Sequence, residues 1–326
     1  MNPTVTVVIP VYNVEPYIER CIRSVMGQTL PADECIIVDD ASPDDSIDIC
    51  ERLIGKYDGP TVFKILRHQA NRGLSAARNT GTAAAAGDYL YYLDSDDEIT
   101  PDCLEKLVAV ARANPEAEMI SGNFLMIHGD EQVMGYKDDL PAEALSNSAI
   151  VNLFLQNKIY SYAWNKLMRL SLVSSSRLDF KEGLLFEDIL WQYNVAMQLQ
   201  SYYFLKDVTY KYYKRPGSLS TSCDDHTCGV SYGVIYGEIL RNLYPGKEVA
   251  VLNRFTEGFC NKYISYNKTV ATYKPLMKEY KRRVKQYGCR LALWKLRMTS
   301  VLGVVPSVGK LVLPVLYRIK GVLTRR

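Results

Sequence analysis

The sequence predicts an α/β fold, a mostly parallel sheet flanked by helices, with a helical, basic C-terminal extension. Three observations predict it. Short β-branched runs alternate with stretches of helical spacing through about residue 125, which implies parallel strands joined by right-handed crossovers. Polar clusters stand where the runs end: Tyr12-Asn13, Asp39-Asp40, residues 71–78 and residues 94–97. Open parallel sheets hold ligands at such strand ends. Finally, basic residues crowd the C-terminal end of the chain.

The elements follow in order. Residues 4–10 (TVTVVIP) read as a buried strand. Residues 14–28 carry Tyr17, Ile18, Cys21, Ile22 and Val25 at helical spacing. Residues 35–38 form a second strand, ending in Asp39-Asp40. Ser42, Pro43 and Asp44-Asp45 read as an N-cap, a first helical position and an acidic first turn. The helix continues over 47–54. Residues 62–66 are a third strand, 74–86 an Ala-rich helix and 89–93 a fourth strand running into Asp94-Ser95-Asp96-Asp97. Thr100-Pro101 opens a helix to about residue 113, and a fifth strand begins at 119–121. The alternation then fades. Residues 128–145 read as an irregular polar excursion, 148–156 and 184–199 as helices, 202–213 as a strand stopped at Arg215-Pro216-Gly217, and 230–290 as helices rich in Tyr and Lys.

Of 326 residues, 48% are hydrophobic and 23% charged. This excludes disordered and fibrous classes. The N-terminus has no basic segment leading into a long apolar one, so it does not read as a signal peptide. No run of 18 apolar residues suits a membrane span. The eight cysteines form no CxxC pair, and several lie in apolar runs, so they are expected reduced and intracellular. Cys223, His226 and Cys228 are spaced too tightly for a zinc site and lack a second ligand pair. From Lys274 onward there are fourteen Lys/Arg and one acid, Glu279. The rest holds twenty-five basic residues against thirty-five acidic ones. An acidic body therefore carries a basic tail. Residues 291–326 intersperse Lys and Arg with apolar residues, and Pro306 and Pro314 break them into short pieces. The absence of acids there points to amphipathic helices lying on an anionic leaflet, although a soluble core could also bury the apolar residues.

The chemistry-bearing residues each admit two readings. Asp94-Ser95-Asp96-Asp97 places three carboxylates in four residues. With diphosphate oxygens and water they suit Mg²⁺ or Mn²⁺, and alone they read equally as a solvated turn. Asp40 at a strand end suits a base N–H or ribose hydroxyl, or simple capping. Gly73 opens a helix whose N-terminal N–H groups, with Arg78, suit an anion such as diphosphate. The small residues 76, 77 and 83–86 read as close helix–sheet packing. Glu187-Asp188, beside Leu185, Phe186 and Trp191, is either a capping pair or a partly desolvated base.

Together these residues resemble glycosyltransferase family 2, which has the GT-A (Rossmann-like) fold. The resemblance rests on VVIPVYN (7–13), SVMGQTL (24–30), IIVDDASPDDS (36–46), NRGLSAARNTG (71–81), GDYLYYLDSDD (87–97), WNKL (164–167), FEDILW (186–191) and YYKRPGSLS (212–220), in that order. It implies an inverting transfer from a nucleotide-sugar, most often a UDP-sugar. Pro10, Val11 and Tyr12 match the segment that holds the base, Asp40 the uracil contact, Arg78 a nucleotide contact, and Asp94 and Asp96 the DxD pair with Asp97 adjoining. Metal ligands are expected at Asp96 and Asp97, with Mg²⁺ or Mn²⁺ as cofactor. Asp188 matches the catalytic base, and Arg215 with Pro216, Gly217 and Ser218 a loop over the diphosphate.

Ala41 and Pro43 depart from the family's usual Gly-Ser-Thr. The Q-x-x-R-W signature of processive synthases is absent, so transfer of one sugar is expected. The expected organisation is a catalytic domain over 1–220, with a nucleotide-binding half to about 125 and an acceptor half over 126–220. A helical extension over 221–290 and a membrane-associated tail over 291–326 follow. The expected partners are a nucleotide-sugar, a glycan or lipid-linked acceptor in surface polysaccharide synthesis, and the inner face of the cell membrane, with no nucleic acid. The rivals are a sugar nucleotidyltransferase, which would want a Gly-rich loop where PVYNVEPY stands, and an inactive nucleotide-sugar binding module.

Overall fold

The computed structural model describes residues 3–136, 140–144, 146–175, 178–215 and 224–302. The chain separates into two compact units, 1–218 and 219–326. Among the described residues, the first unit is built on one ten-stranded sheet. Its strands are β1 (Val5–Val11), β2 (Glu34–Asp39), β3 (Val62–Arg67), β4 (Tyr89–Tyr92), β5 (Glu98–Ile99), β6 (Met119–His128), β7 (Glu131–Met134), β8 (Glu143–Ala144), β9 (Lys166–Arg169) and β10 (Tyr202–Tyr213). The main path runs β3-β2-β1-β4-β9-β6-β10-β5.

β1, β2 and β3 pair in parallel, as do β1 with β4 and β6 with β10. β9 is wedged antiparallel between β4 and β6. β5, β7 and β8 also pair antiparallel. Every residue of β1, β2 and β4 is buried, as expected of central strands covered on both faces. The edge strand β3 is largely open on one side.

The helices of this unit are α1 (Glu15–Met26), α2 (Ser46–Ile54), α3 (Leu74–Ala84), α4 (Cys103–Ala113), α5 (Asn147–Leu155), α6 (Leu170–Ser175) and α7 (Glu187–Gln198). In α1, Ile18, Cys21, Ile22 and Val25 turn inward, as their spacing requires. α3 lies so close to β1 that a Cβ on Gly81 would stand 2.3 Å from Val8. Ala76 and Ala77 are buried there, but residues 83–86 are exposed or half-exposed, so close packing accounts only for the first set.

Other expectations change as well. α2 starts at Ser46, not after Ser42. The Ser42 hydroxyl instead accepts from Asn13 N and donates to Asp44, which ties the β1 and β2 loops together. α4 starts at Cys103, two residues later than the Thr100-Pro101 signal. The excursion over 128–145 contains β7 and β8, because β6 and β10 extend far enough to pair with them. β9 was hidden as well: its four residues carry no alternation, and partners on both sides fix them as strand.

The second unit contains α8 (Asp225–Arg241), α9 (Glu248–Tyr266), α10 (Tyr273–Gln286) and α11 (Arg290–Leu302). Its core stacks Phe259 on Tyr280 with ring centroids 4.2 Å apart. Asp224 caps α8 by accepting from His226 N and Thr227 N. Cys228 is disulfide-bonded, contrary to the reduced state expected of every cysteine, so its sulfur is not a zinc ligand. Cys21, Cys35, Cys50, Cys103, Cys260 and Cys289 are free and buried. Among the described residues, no helix is long and apolar enough to cross a membrane. Most of the basic tail, from residue 303 onward, lies outside the described residues, as do Pro216, Gly217 and Ser218 of the expected loop.

Candidate active site

The C-terminal ends of β1, β2, β3 and β4 bring the sequence-predicted residues to one edge of the sheet. Pro10 and Val11 are buried at the end of β1, and Tyr12 emerges 45% exposed. Val11 pairs with Asp39, and Asp40 N donates to Val11 O, so Tyr12 and Asp40 leave adjacent strands side by side. Asp40 is buried and fully engaged. Its Oδ1 meets His68 Nδ1 at 2.6 Å and Arg72 N at 2.8 Å, and its Oδ2 accepts from Gly73 N at 2.7 Å. It thereby fixes the turn into α3, where Gly73 holds a φ of +87° suited to glycine. A nucleobase N–H reaching Asp40 would share oxygens already in use.

Arg78, expected at the nucleotide, lies 2% exposed within the protein. One guanidinium nitrogen donates to Glu187 Oε1 and the other to Asp94 Oδ1, each at 2.7 Å. Its Nε–H is buried without a partner among the described residues. This arginine therefore joins the end of β4 to the first turn of α7, 109 residues further along the chain. Sequence reasoning read Glu187 with Asp188 as a capping pair or a base and did not foresee its bond to Arg78.

The acidic run divides by environment. Asp94 is half-buried, and burial raises its carboxyl above its ordinary range, against the pull of Arg78. Asp96 is half-exposed, and its Oδ2 accepts from Arg215 Nε at 2.6 Å. Asp97, expected as a second metal ligand, is fully buried and has both oxygens committed inward. They accept from Tyr210 Oη and Tyr213 N, each at 2.8 Å. Burial, then the charges of Asp96 and Asp94, push its carboxyl far up. Asp97 thus pins the acidic turn onto β10, and Asp94 N adds a second tie by donating to Tyr210 Oη.

Asp188 is half-buried in the first turn of α7. Burial and then Glu187 raise its carboxyl to about 7, while Arg78 and Lys166 pull the other way. A carboxylate poised near neutrality with an open side suits proton transfer. The preceding Phe186 adopts a left-handed φ of 59°, which turns the chain sharply into the helix. Phe180 and Trp191 stack 4.6 Å apart behind it, and Trp191 Nε1 donates to Leu178 O.

A divalent cation fits this site only in part. Hard carboxylate oxygens beside one another suit Mg²⁺ or Mn²⁺. Asp96 offers an accessible group, and Asp94 has a second oxygen beyond its bond to Arg78. Among the described residues, no three His, Cys, Asp or Glu side chains are arranged as a metal cage. The arrangement matches a cation held by one or two carboxylates and completed by substrate phosphates.

The family model described as Glycosyl transferase family 2 matches residues 6–175. EpsH of Bacillus subtilis is 32% identical over 215 residues, which cover 64% of this chain and 58% of that protein. Among solved structures, S. aureus TarS 1-349 in complex with UDP-GlcNAc superposes with a TM-score of 0.69 at 20% identity, covering 94% of this chain and 90% of that one. The mannosyltransferase PcManGT from Pyrobaculum calidifontis, in complex with GDP-Man and Mn²⁺, gives a TM-score of 0.60 at 17% identity, covering 95% and 88%. These two likenesses are of fold.

Proposed function

This chain belongs to glycosyltransferase family 2, and on that premise we propose that it transfers one sugar, with inversion, from a nucleotide-sugar to a hydroxyl of a glycan or lipid-linked acceptor. A UDP-sugar is the favoured donor, by analogy with the UDP-GlcNAc complex of TarS. Synthesis of a surface polysaccharide is the setting proposed for it. One observation carries the reading. Arg78 bonds at once to Asp94, in the acidic turn after β4, and to Glu187, next to Asp188, so the two halves of a displacement share one strut.

In the proposed reaction Tyr12, at the open end of β1, lies against the base, and Pro10 and Val11 shape the floor beneath it. Asp40 holds the turn into α3, whose N-terminal N–H groups favour an anion. Asp188 takes the proton of the acceptor hydroxyl as that oxygen attacks the anomeric carbon from the face opposite the nucleotide. Arg215, at the rim, releases Asp96 and turns to the diphosphate when donor binds. Asp96, with Asp94, would hold Mg²⁺ or Mn²⁺; when bound, the ion supplies positive charge against the leaving diphosphate. Asp97 keeps the acidic turn in place.

The test is a panel of UDP- and GDP-sugars assayed with and without divalent cation. The reading expects free nucleoside diphosphate from one donor class in a metal-dependent way. Release of pyrophosphate would assign a nucleotidyltransferase, and binding without turnover of any donor would assign a binding module.

A further inference from the structure

Lys166 opens β9 and is 2% exposed, an unusual place for an ammonium. Burying such a group costs several kcal/mol unless its N–H bonds are satisfied and its charge is opposed. Its Nζ donates to the carbonyls of Tyr160 and Tyr162 and lies 5.5 Å from the centroid of the Tyr162 ring. The two carbonyls take two of its three N–H donors and do not cancel the charge.

The fold lays β9, which carries this ammonium, against the strand that leads into the acidic turn. Leu167, the neighbour of Lys166, pairs with Tyr91 in β4, three residues before Asp94. The first turn of α7 is tied to the same strand end through Arg78. Arg78 on α3 already spends its charge on Glu187 and Asp94. Among the described residues, Lys166 is a second cation whose field reaches Asp188, and the Asp188 carboxylate opposes the cost of burying it. Glu187 on α7 and Asp94 after β4 act on Asp188 in the opposite sense. The Tyr162 hydroxyl also lies in the field of Asp188.

We propose that Lys166 is a positioning residue for the proton acceptor: anchored on the Tyr160 and Tyr162 carbonyls at the start of β9, its positive charge keeps Asp188 in the anionic form that takes the acceptor proton. This rests on the reading of Asp188 as base. Burial brings the ammonium's own pKa down to about 7, so its support is strongest on the acid side, where Asp188 most needs it.

The experiment uses the full chain and the donor identified by the panel. Turnover is followed from about pH 5.5 to 9 for wild type, Lys166→Met, Lys166→Gln and Asp188→Asn. Met removes the charge and the donors. Gln removes the charge but keeps an amide to serve the carbonyls, and guards against a Met variant that does not fold. Both neutral variants are expected to move the acid limb of kcat/KM upward by about one pH unit. At pH 6 that is about a tenfold loss, since each unit is a tenfold change in the ionised fraction. The difference should shrink above pH 8, with donor KM little changed. A limb that stays in place overturns the proposal, as does a Gln variant with the wild-type profile, since Lys166 would then only tie down the loop. Collapse of both neutral variants overturns it as well, by assigning the ammonium to the fold. An inactive Asp188→Asn beside an unmoved limb in the Lys166 variants removes this proposal alone. An active Asp188→Asn removes the base assignment beneath it.

Discussion

Replacing Arg78 by Met tests whether this residue serves the fold before it serves a ligand. The change keeps much of the apolar stem but leaves Glu187 and the inward oxygen of Asp94 without their 2.7 Å donors. Removing one partner of a buried ion pair costs roughly 3–5 kcal/mol, because the remaining charge must be desolvated alone. For a unit of this size that corresponds to a fall in melting temperature of roughly 6–20 °C. The loss should depend on pH. Burial already raises the Glu187 carboxyl in the folded chain, and without Arg78 it rises further above its unfolded value. A folded state that binds the extra proton loses stability as pH rises. Urea titrations of wild type and Arg78→Met at pH 8 and pH 5.5 should therefore show a deficit that is large at pH 8 and clearly smaller at pH 5.5. The double variant Arg78→Met/Glu187→Gln should recover at least about 1 kcal/mol at pH 8, since the stranded charge is gone. A loss below about 1 kcal/mol at pH 8, or equal losses at both pH values, would refute the strut.

Asp96→Asn should cut transfer at least about a hundredfold, the scale of losing a major electrostatic stabiliser, and EDTA should do the same until Mn²⁺ or Mg²⁺ is restored; full turnover in EDTA sinks the metal reading. Asp188→Asn should bind donor normally, as judged by calorimetry, yet lose transfer. The same variant has a stability signature. The Asp188 carboxyl is raised to about 7 in the folded chain, so its contribution is greatest below about pH 4 and declines as pH rises through 7. Asp188→Asn should accordingly melt above wild type at pH 8 and show no such gain at pH 4. Full-length protein should float with anionic liposomes at low salt, while a chain ending at Leu302 should not; if both stay in the soluble fraction, the basic tail has another role.

Much of the fold was legible in local pattern. The apolar runs at β1, β2 and β4, the inward face of α1 and the length of β10 follow from side-chain periodicity, which is a property of neighbours in the chain. The polar clusters at strand ends were legible for the same reason, since a parallel sheet leaves its ligand edge at the ends of such runs. β9 was not, because four residues without alternation become a strand only when β4 and β6 supply partners on both sides.

The residue types at the site were fixed by the sequence, and their partners by the fold. An arginine in a helix after Gly73 suits an anion on local grounds, yet its two nearest anions are Asp94 and Glu187, 16 and 109 residues away. Asp96 and Asp97 are adjacent and chemically alike. One faces outward to Arg215 and the other is closed off by Tyr210 and Tyr213, because β10 crosses beneath the turn. Lys166 stood in the WNKL motif with no role of its own until burial took away its water. Ionisation responds to the charges and dielectric within a few ångströms, and only the packing of β4, β9, α3 and α7 decides which charges those are.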